Sequence, residues 1–484
     1  MLNAMNFSAI SIEIAIAVLM AVVLVLDLVL KKDAPRCPVV WLTAAGLLGV
    51  LALAVGMYPP DGGATAFYAG LCIVDGYSVF FKILFIIGIL STVIFAADYV
   101  EQTMRHKGEF YLLLLSALLG MCVLSSANDL MTAFVGLELM TISFYALVAL
   151  RTDAPLSAEA GIKYLVFGSG STAVLLYGMS LVYGMTGTMV FQDIAQGLGL
   201  VFSLGLIGVV FILAGFFFKL SIIPFHLWAP DVYEGAPAPV TALLAMCSKA
   251  AGIAILLRVL FVAFPFLAAY WAHLLAVFAG VSMVGGNLMA FRQTNIKRML
   301  AYSSIAQAGY MMTAMVATNA AGIKAVLFYA MVYVFANVGA FVTVSYLEMK
   351  RGGADFTSVR GLAKDSLLPA GILMVALLTM AGIPPTAGFV GKIYIFSAAI
   401  DAGYLWLAGV GFVMSMMSVY YYLLVIKEMF RDVEVGEKWT EEHLPLPLPA
   451  SAMGVIAVAF SLIIGVWAEP LSIFSNIAVY TFMR

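Results

Sequence analysis

The sequence predicts an all-α protein that crosses a membrane many times. Of its 484 residues, 64% are apolar and only 10% are charged, and the mean hydropathy is +1.07. Soluble domains are about 45–50% apolar and about 25% charged, so this chain has too little polar surface for water. A span needs about 20 residues, and a chain of this length can hold about 14 spans. The composition therefore excludes a soluble enzyme, a nucleic-acid-binding protein and a secreted disulfide scaffold.

Apolar stretches long enough to cross a bilayer follow one another along the chain. The predicted spans are residues 7–30, 38–58, 74–97, 109–126, 128–150, 160–186, 203–233, 240–264, 268–291, 297–317, 320–348, 367–398, 402–427 and 449–475. The first stretch lacks the basic flank and the cleavage site of a signal peptide, so we expect it to be a mature span.

The basic residues predict the orientation of these spans, because Lys and Arg in short loops accumulate on the cytoplasmic side. With the N-terminus outside, the external loops and tails hold only Arg484. The cytoplasmic loops then hold Lys31, Lys32, Arg36, Arg105, Lys107, Arg151, Arg292, Lys297, Arg298, Lys350, Arg351, Arg360, Lys364, Lys427, Arg431 and Lys438. We therefore expect both termini on the external side of the membrane.

The remaining basic residues fall inside predicted spans. They are Lys82, Lys163, Lys219, Lys249, Arg258, Lys324 and Lys392, and Glu138 joins them. A charge at mid-bilayer costs about 2.5–3.5 kcal/mol, so such groups should face the protein interior or a water-filled cavity. We expect Lys82 and Arg258 to extend their charged ends into the interface instead, whereas Lys219 should lie at depth.

An internal repeat is visible in two spans. GIKYLVF at 161–167 opens one span and GIKAVLF at 322–328 opens another, and the same offset aligns Gly178 with Gly339. Two units of five spans, spans 4–8 and 9–13, explain the match. Five is an odd number, so the second unit should be inverted relative to the first, as in many transporters. The predicted regions are an N-terminal three-helix segment (1–100), a first unit (109–264), a second, inverted unit (268–430) and a C-terminal helix (449–484).

Prolines interrupt one span in each unit, at Pro224 and at Pro384-Pro385. A proline within a helix removes a backbone hydrogen bond and clashes with the preceding turn, so both helices should be broken. In hydrocarbon the freed backbone groups need water or polar side chains, which predicts a polar path at each break. A kink that serves only packing is the alternative, but it does not require the nearby Lys219 and Lys392.

These buried charges suggest proton movement. Burial favours the neutral form of a lysine and a neighbouring carboxylate favours the charged form, so a change in the carboxylate can make a lysine hold or release a proton. Glu138 and Lys219 form the natural pair within one unit. We predict that a lateral chain of titratable groups continues through Lys163, Lys249, Lys392 and His226.

The chain offers no sign of a redox centre of its own. Its four cysteines lie singly, without a CxxC pattern, and no histidines have the spacing of haem or metal ligands within one helix. We therefore expect no cofactor on this chain.

Three segments carry a family resemblance: PFHLWAPDVYEGAP at 224–237, NIKRMLAYSSI at 295–305 and GIPPTAGFVGK at 382–392. They resemble the subunit N family of bacterial NADH-quinone oxidoreductase, respiratory complex I. The resemblance covers essentially the whole chain. The family belongs with the Mrp-type cation/proton antiporter subunits, which share the broken spans and the inverted five-helix repeats.

The resemblance implies a proton-pumping membrane subunit, driven by electron transfer from NADH to quinone in other subunits. FMN, iron–sulfur clusters and quinone are then expected on those partners, and the neighbours are antiporter-like and small membrane subunits in a bacterial plasma membrane. The family's functional glutamate and lysines fall on Glu138, Lys163, Lys219, Lys249 and Lys392.

Two other functions remain open from the sequence. A secondary cation/proton antiporter subunit would use the same buried lysines without a quinone-reducing partner. A passive scaffold would use the buried charges only to hold its helices together.

Overall fold

The computed structural model describes residues 7–31, 34–58, 63–197, 202–432 and 445–483. Three basic residues used to predict the orientation, Lys32, Lys438 and Arg484, lie outside these ranges. The α-helices are α1 (Ser11–Val29), α2 (Cys37–Gly56), α3 (Gly76–Phe95), α4 (Ala97–Thr103), α5 (Lys107–Ser126), α6 (Leu130–Val148), α7 (Pro155–Thr186), α8 (Phe191–Gly197), α9 (Phe202–Leu220), α10 (Trp228–Gly235), α11 (Ala238–Leu243), α12 (Lys249–Arg258), α13 (Ala268–Ala290), α14 (Ile296–Met315), α15 (Ala320–Arg351), α16 (Phe356–Val359), α17 (Leu362–Asp365), α18 (Leu367–Ala381), α19 (Ala387–Asp401), α20 (Leu405–Phe430), α21 (Leu448–Val466) and α22 (Glu469–Phe482).

The predicted all-α membrane class is confirmed. In the described part of the chain, 11 helices are long and apolar enough to cross a membrane, and shorter apolar helices lie at Gly205–Leu220 and Leu367–Ala381. The count of about 14 spans stays a prediction.

Two local features differ from the expected spans. A short antiparallel hairpin, β1 (Thr65–Phe67) and β2 (Cys72–Val74), precedes α3. The expected span 449–475 is not one helix, because α21 ends at Val466 and α22 begins at Glu469. Pro470 explains the interruption, since a proline fits the first turn of a helix but cannot continue one.

The core lies around α3 and α15, which are almost entirely buried by the other helices. α1 and α2 pack beside α3 and α5, while α21 and α22 pack against α15 and α3. α7 lies at the periphery and exposes Leu165, Val166 and Phe167, as expected for a surface covered by lipid or by another membrane subunit.

The two predicted units share local features. Asp129 caps α6 and Asn295 caps α14, each through one oxygen that accepts hydrogen bonds from two backbone amides. Each cap residue also forms a β-bridge to the segment after the following long helix. Those helices, α7 and α15, have 32 residues each, and their C-cap residues are Gly187 and Gly352, both with φ of 72°.

The glycines on which the predicted repeat is based also occupy similar positions. A side chain at Gly161 would clash with the end of α6, and one at Gly322 would clash with the end of α14. Gly178 lies against α9, and Gly339 lies against α18. The inversion of the second unit stays a prediction.

Candidate functional site

The break predicted at Pro224 separates α9 from α10, and the Ile223–Pro224 peptide is cis. Two carbonyls at the end of α9 accept hydrogen bonds from side chains. Phe218 O also accepts from Ser221 N at 3.0 Å, whereas Leu220 O has no helical donor because the residue four positions on is Pro224. Phe218 O accepts from Trp228 Nε1 at 2.9 Å, and Leu220 O accepts from Lys249 Nζ at 3.2 Å. Polar side chains from two other segments thus satisfy this broken backbone.

Lys219 lies at the end of α9 and is 2% exposed. Its Nζ donates to Thr141 Oγ1 of α6 at 2.8 Å. Thr141 is one helical turn from Glu138, whose Oε1 accepts from Thr172 Oγ1 of α7 at 2.8 Å. The structure therefore brings the predicted pair onto neighbouring helices, where hydroxyl groups contact each charged group in place of a direct ion pair.

Lys249 is the first residue of α12 and follows a π-helical segment, Leu244–Ser248. It is 1% exposed. Besides Leu220 O, its Nζ donates to Ser304 O of α14 at 2.8 Å. Lys249 thus connects the first break with α14, which belongs to the predicted second unit.

The second break separates α18 from α19, and the Pro384–Pro385 peptide is cis. Lys392, in the second turn of α19, is 4% exposed and extends back to this break. Its Nζ donates to Met380 O at 2.9 Å, to Ala381 O at 2.8 Å and to Ser415 Oγ at 2.8 Å. These three acceptors match the three N–H groups of an ammonium ion.

One face of α14 joins the two breaks. Ser304, whose carbonyl accepts from Lys249, and Gln307 are one turn apart. Gln307 Nε2 donates to Met380 O at 3.0 Å, and its Oε1 accepts from Tyr329 OH at 2.5 Å. The sequence reasoning missed Gln307, although a buried amide in an otherwise apolar span was a usable signal.

Lys163 lies apart from these contacts. Its side chain is 37% exposed and pairs with Glu159 at 2.8 Å and with Asp231 at 2.7 Å. Asp231 also pairs with Arg298 at 2.7 Å, and the cluster lines an open cavity of about 180 Å³. Lys163 therefore joins α7 to α10 and, among the described residues, makes no contact with the other predicted lysines.

His226 lies in the segment between α9 and α10 and is 9% exposed. Its Nδ1 is 3.3 Å from Pro224 O. This places the ring at the first break, beside a backbone group and not beside one of the predicted lysines.

The expectation for Lys82 and Arg258 was wrong. Lys82 is fully buried and pairs with Glu13 of α1 at 2.6 Å. Arg258 is 2% exposed and donates two hydrogen bonds to Asp75, at 3.0 and 3.1 Å. Each charge stays inside the protein because a carboxylate from another helix or helix cap neutralises it.

The chain is similar to known proteins over most of its length. The family described as NADH:quinone oxidoreductase/Mrp antiporter, TM, matches residues 127–418. NADH-quinone oxidoreductase subunit N of Heliobacterium modesticaldum is 46% identical over 475 residues, which cover 98% of this chain and 99% of the relative.

Two solved structures have a similar fold. A chain of respiratory complex I from Thermus thermophilus with bound aureothin is 33% identical, with a TM-score of 0.80, over 95% of this chain and 98% of that chain. A chain of the Mrp complex from Dietzia sp. is 21% identical, with a TM-score of 0.89, over 99% of this chain and 98% of that chain. The second likeness concerns the fold alone.

Proposed function

The chain belongs to the subunit N family of NADH-quinone oxidoreductases, within the wider NADH:quinone oxidoreductase/Mrp antiporter family, and we propose that it moves protons across the membrane as a subunit of such a complex. Electron transfer from NADH to quinone takes place on other subunits, which carry the FMN, the iron–sulfur clusters and the quinone site. The protein is then one part of a proton-translocating oxidoreductase.

One observation carries the proposal: hydrogen bonds connect two broken helices through buried lysines. Lys249 bonds to the first break and to Ser304 O, and Gln307, one turn along α14, bonds to the second break beside Lys392. Titratable groups buried within a membrane protein are costly, so they indicate an ion or proton path. We assign the path to Glu138, Lys219, Lys249 and Lys392. Lys163, at the open cavity, and His226, at the first break, stay predicted members of it.

The surroundings of Lys219 allow it to exist in both protonation states. The charged ammonium donates to the Thr141 hydroxyl, which itself donates to Leu137 O at 2.6 Å. If the amine becomes neutral, the same hydroxyl can turn and donate to its lone pair. Lys392, with three acceptors, is better suited to the ammonium form.

Glu138 can control the protonation state of Lys219. A carboxylate one turn from the hydroxyl that Lys219 contacts stabilises the charged amine, and loss of that negative charge favours proton release. Moving one charge against 100 mV requires about 2.3 kcal/mol. One pKa unit corresponds to about 1.4 kcal/mol, so a change of about two units suffices.

The surface around Glu138 is suited to a membrane partner. Val135 and Ile142, on the same helix, are 54% and 60% exposed, and lipid or another subunit must cover them. We propose the neighbouring antiporter-like and small membrane subunits as partners, in a bacterial plasma membrane, with both termini outside. Residues 109–264 and 268–430 then form the two inverted units.

The test uses the assembled complex in inverted membrane vesicles. Lys219→Ala and Glu138→Ala should each strongly reduce NADH-driven acidification of the vesicle interior. Lys324→Ala is the matched control, because Lys324 also lies in a long helix, where its ammonium lies over the ring of Tyr394 and, among the described residues, donates no hydrogen bond to the carbonyls of either break. Unchanged acidification in both Lys219→Ala and Glu138→Ala would rule out a pumping role for the pair.

A second measurement tests the partners. Co-purification of the chain with flavin- and iron–sulfur-containing subunits is expected. Sodium-dependent proton exchange by the chain expressed alone would instead favour a secondary antiporter.

A further inference from the structure

α12 carries a positive charge at each end, Lys249 as its first residue and Arg258 as its last. π-helical segments flank it on both sides, at Leu244–Ser248 and Val259–Ala263. π-helical segments usually occur as single turns within α-helices, often at functional sites. α12 is therefore a short regular helix between two irregular turns.

The Arg258 end of α12 is firmly attached to α3. The guanidinium donates two hydrogen bonds to Asp75, which is the N-cap residue of α3, and one to Ser125 O of α5 at 3.2 Å. It also lies 4.9 Å from the ring centre of Tyr77, whose hydroxyl donates to Ala254 O of α12 at 2.7 Å. Two hydrogen bonds from one planar guanidinium fix the distance between Arg258 and Asp75 and also the orientation of the Arg258 side chain.

α3 also limits the position of the preceding π segment. Gly88 of α3 lies directly against Cys247, so closely that a Cβ at this glycine would overlap the sulfur. α3 thus contacts the segment just before Lys249, the middle of α12 and the residue at its end.

The Lys249 end must reach two carbonyls on different helices, Leu220 O and Ser304 O. A ten-residue α-helix is about 15 Å long and behaves as a rigid rod. A shift or rotation at Arg258 would therefore displace Lys249 from both carbonyls.

We propose that Asp75 and Arg258 are positioning residues for Lys249: their ion pair sets the axial position and rotation of α12, so that Lys249 meets the first break and α14 together. The inference rests on the proposed function, in which Lys249 carries protons.

Three variants separate positioning from folding. Asp75→Asn removes the charge but keeps a good N-cap residue. Arg258→Lys keeps the charge but loses the two-point contact. The double variant Asp75→Asn/Arg258→Met removes the pair without leaving an isolated buried charge, which protects folding.

The chain provides a matched control, Glu13→Gln/Lys82→Met. This second buried ion pair lies on the same helix, since Lys82 is two turns from Asp75, but it joins α3 to α1 and not to α12. All variants are measured as assembled complexes in inverted vesicles, by the initial rate of NADH-driven acidification per assembled complex across pH 6–9.

The Asp75 and Arg258 variants should acidify about tenfold more slowly, within the loss of up to ~100-fold that a 1 Å displacement of a reacting group can cause. Their pH profiles should move to lower pH, because an ammonium without its carbonyl acceptors releases its proton more readily. The control pair should stay within about twofold of the wild type, with an unchanged pH profile.

Two results would overturn the inference. Normal acidification by Lys249→Met would remove the proposed role of Lys249 and the positioning role with it. A defective Lys249→Met together with an Asp75→Asn/Arg258→Met double variant that matches the control in rate and pH profile would overturn the positioning role alone.

Discussion

The two broken helices have the same kind of break but are stabilised differently. At the first break, Leu220 O takes its side-chain hydrogen bond from Lys249, which belongs to another helix. At the second, Lys392 of the same broken helix bonds to Met380 O and Ala381 O, and these also accept from Gln307 and Ser415. Met380 O and Ala381 O therefore each have two side-chain donors, whereas Leu220 O has one among the described residues, a lysine that the proposed function also requires to change its protonation state.

α6 and α14, the helices that precede the two long helices, also differ, at the position of Glu138. Counting from the caps Asp129 and Asn295, the residue at the position of Glu138 in α6 is Ser304 in α14. A carboxylate thus stands in the first unit where the second offers a small polar residue, whose carbonyl receives Lys249. Of the two predicted units, the first therefore carries an ionisable group at this position and the second does not.

The largest effect is expected from Lys249→Met. It removes a path residue and leaves Leu220 O without its side-chain donor, a loss of about 1–3 kcal/mol for a buried carbonyl. Lys392→Met should also stop acidification but should reduce stability less, because Gln307 and Ser415 still bond to the second break. Vesicle acidification and the yield and melting temperature of the assembled complex distinguish them. Equal destabilisation by both would contradict the contrast between the breaks.

Glu138→Gln should slow acidification by about tenfold, the effect of ~1.4 kcal/mol. Ser304→Ala, at the matching position, should stay within about twofold, since its backbone carbonyl still accepts from Lys249. The two variants are compared by the initial acidification rate at equal complex content. A similar loss in both would mean that the two units share one role.

Gln307→Leu breaks the connection between the units and should slow acidification by about fivefold, or ~1 kcal/mol of coupling. Asn337→Leu is its control, because the Asn337 amide is also buried and donates to Tyr333 O of its own helix, and among the described residues it makes no hydrogen bond to the carbonyls of either break. Gln307→Leu should slow acidification and Asn337→Leu should not. Both variants should oxidise NADH at the wild-type rate with an artificial electron acceptor.

Among the predicted path residues, the smallest effect is expected from Lys163→Ala, about twofold, because water in the open cavity can also carry protons there and Asp231 keeps its pair with Arg298. The measurement is again vesicle acidification, with Lys163→Arg as the charge-preserving control. Complete loss in Lys163→Ala alone would make the exposed cavity a necessary part of the proton path.

Much of the fold followed from local properties of the sequence. Hydropathy reports the transfer free energy of each segment, and proline removes a backbone donor wherever it stands, so the membrane class and both breaks could be predicted. The burial of Lys219 and Lys392 inside the protein followed from the same reasoning.

The partners of the charged groups could not be predicted, because they depend on distant parts of the chain. Asp75 and Arg258 are 183 residues apart, and Lys219 and Thr141 are 78 apart. Lys82 and Arg258 looked like interface residues because a single span contains no sign of the carboxylate that another helix supplies.

By itself, the sequence determined that the chain enters a membrane, where its helices break and which charges must avoid lipid, since each follows from the cost of placing a residue in hydrocarbon. Only the tertiary structure decided which carbonyl, hydroxyl or carboxylate each charge meets. Hydrogen bonds and ion pairs act over a few ångströms and depend on direction, and helix packing alone sets those distances.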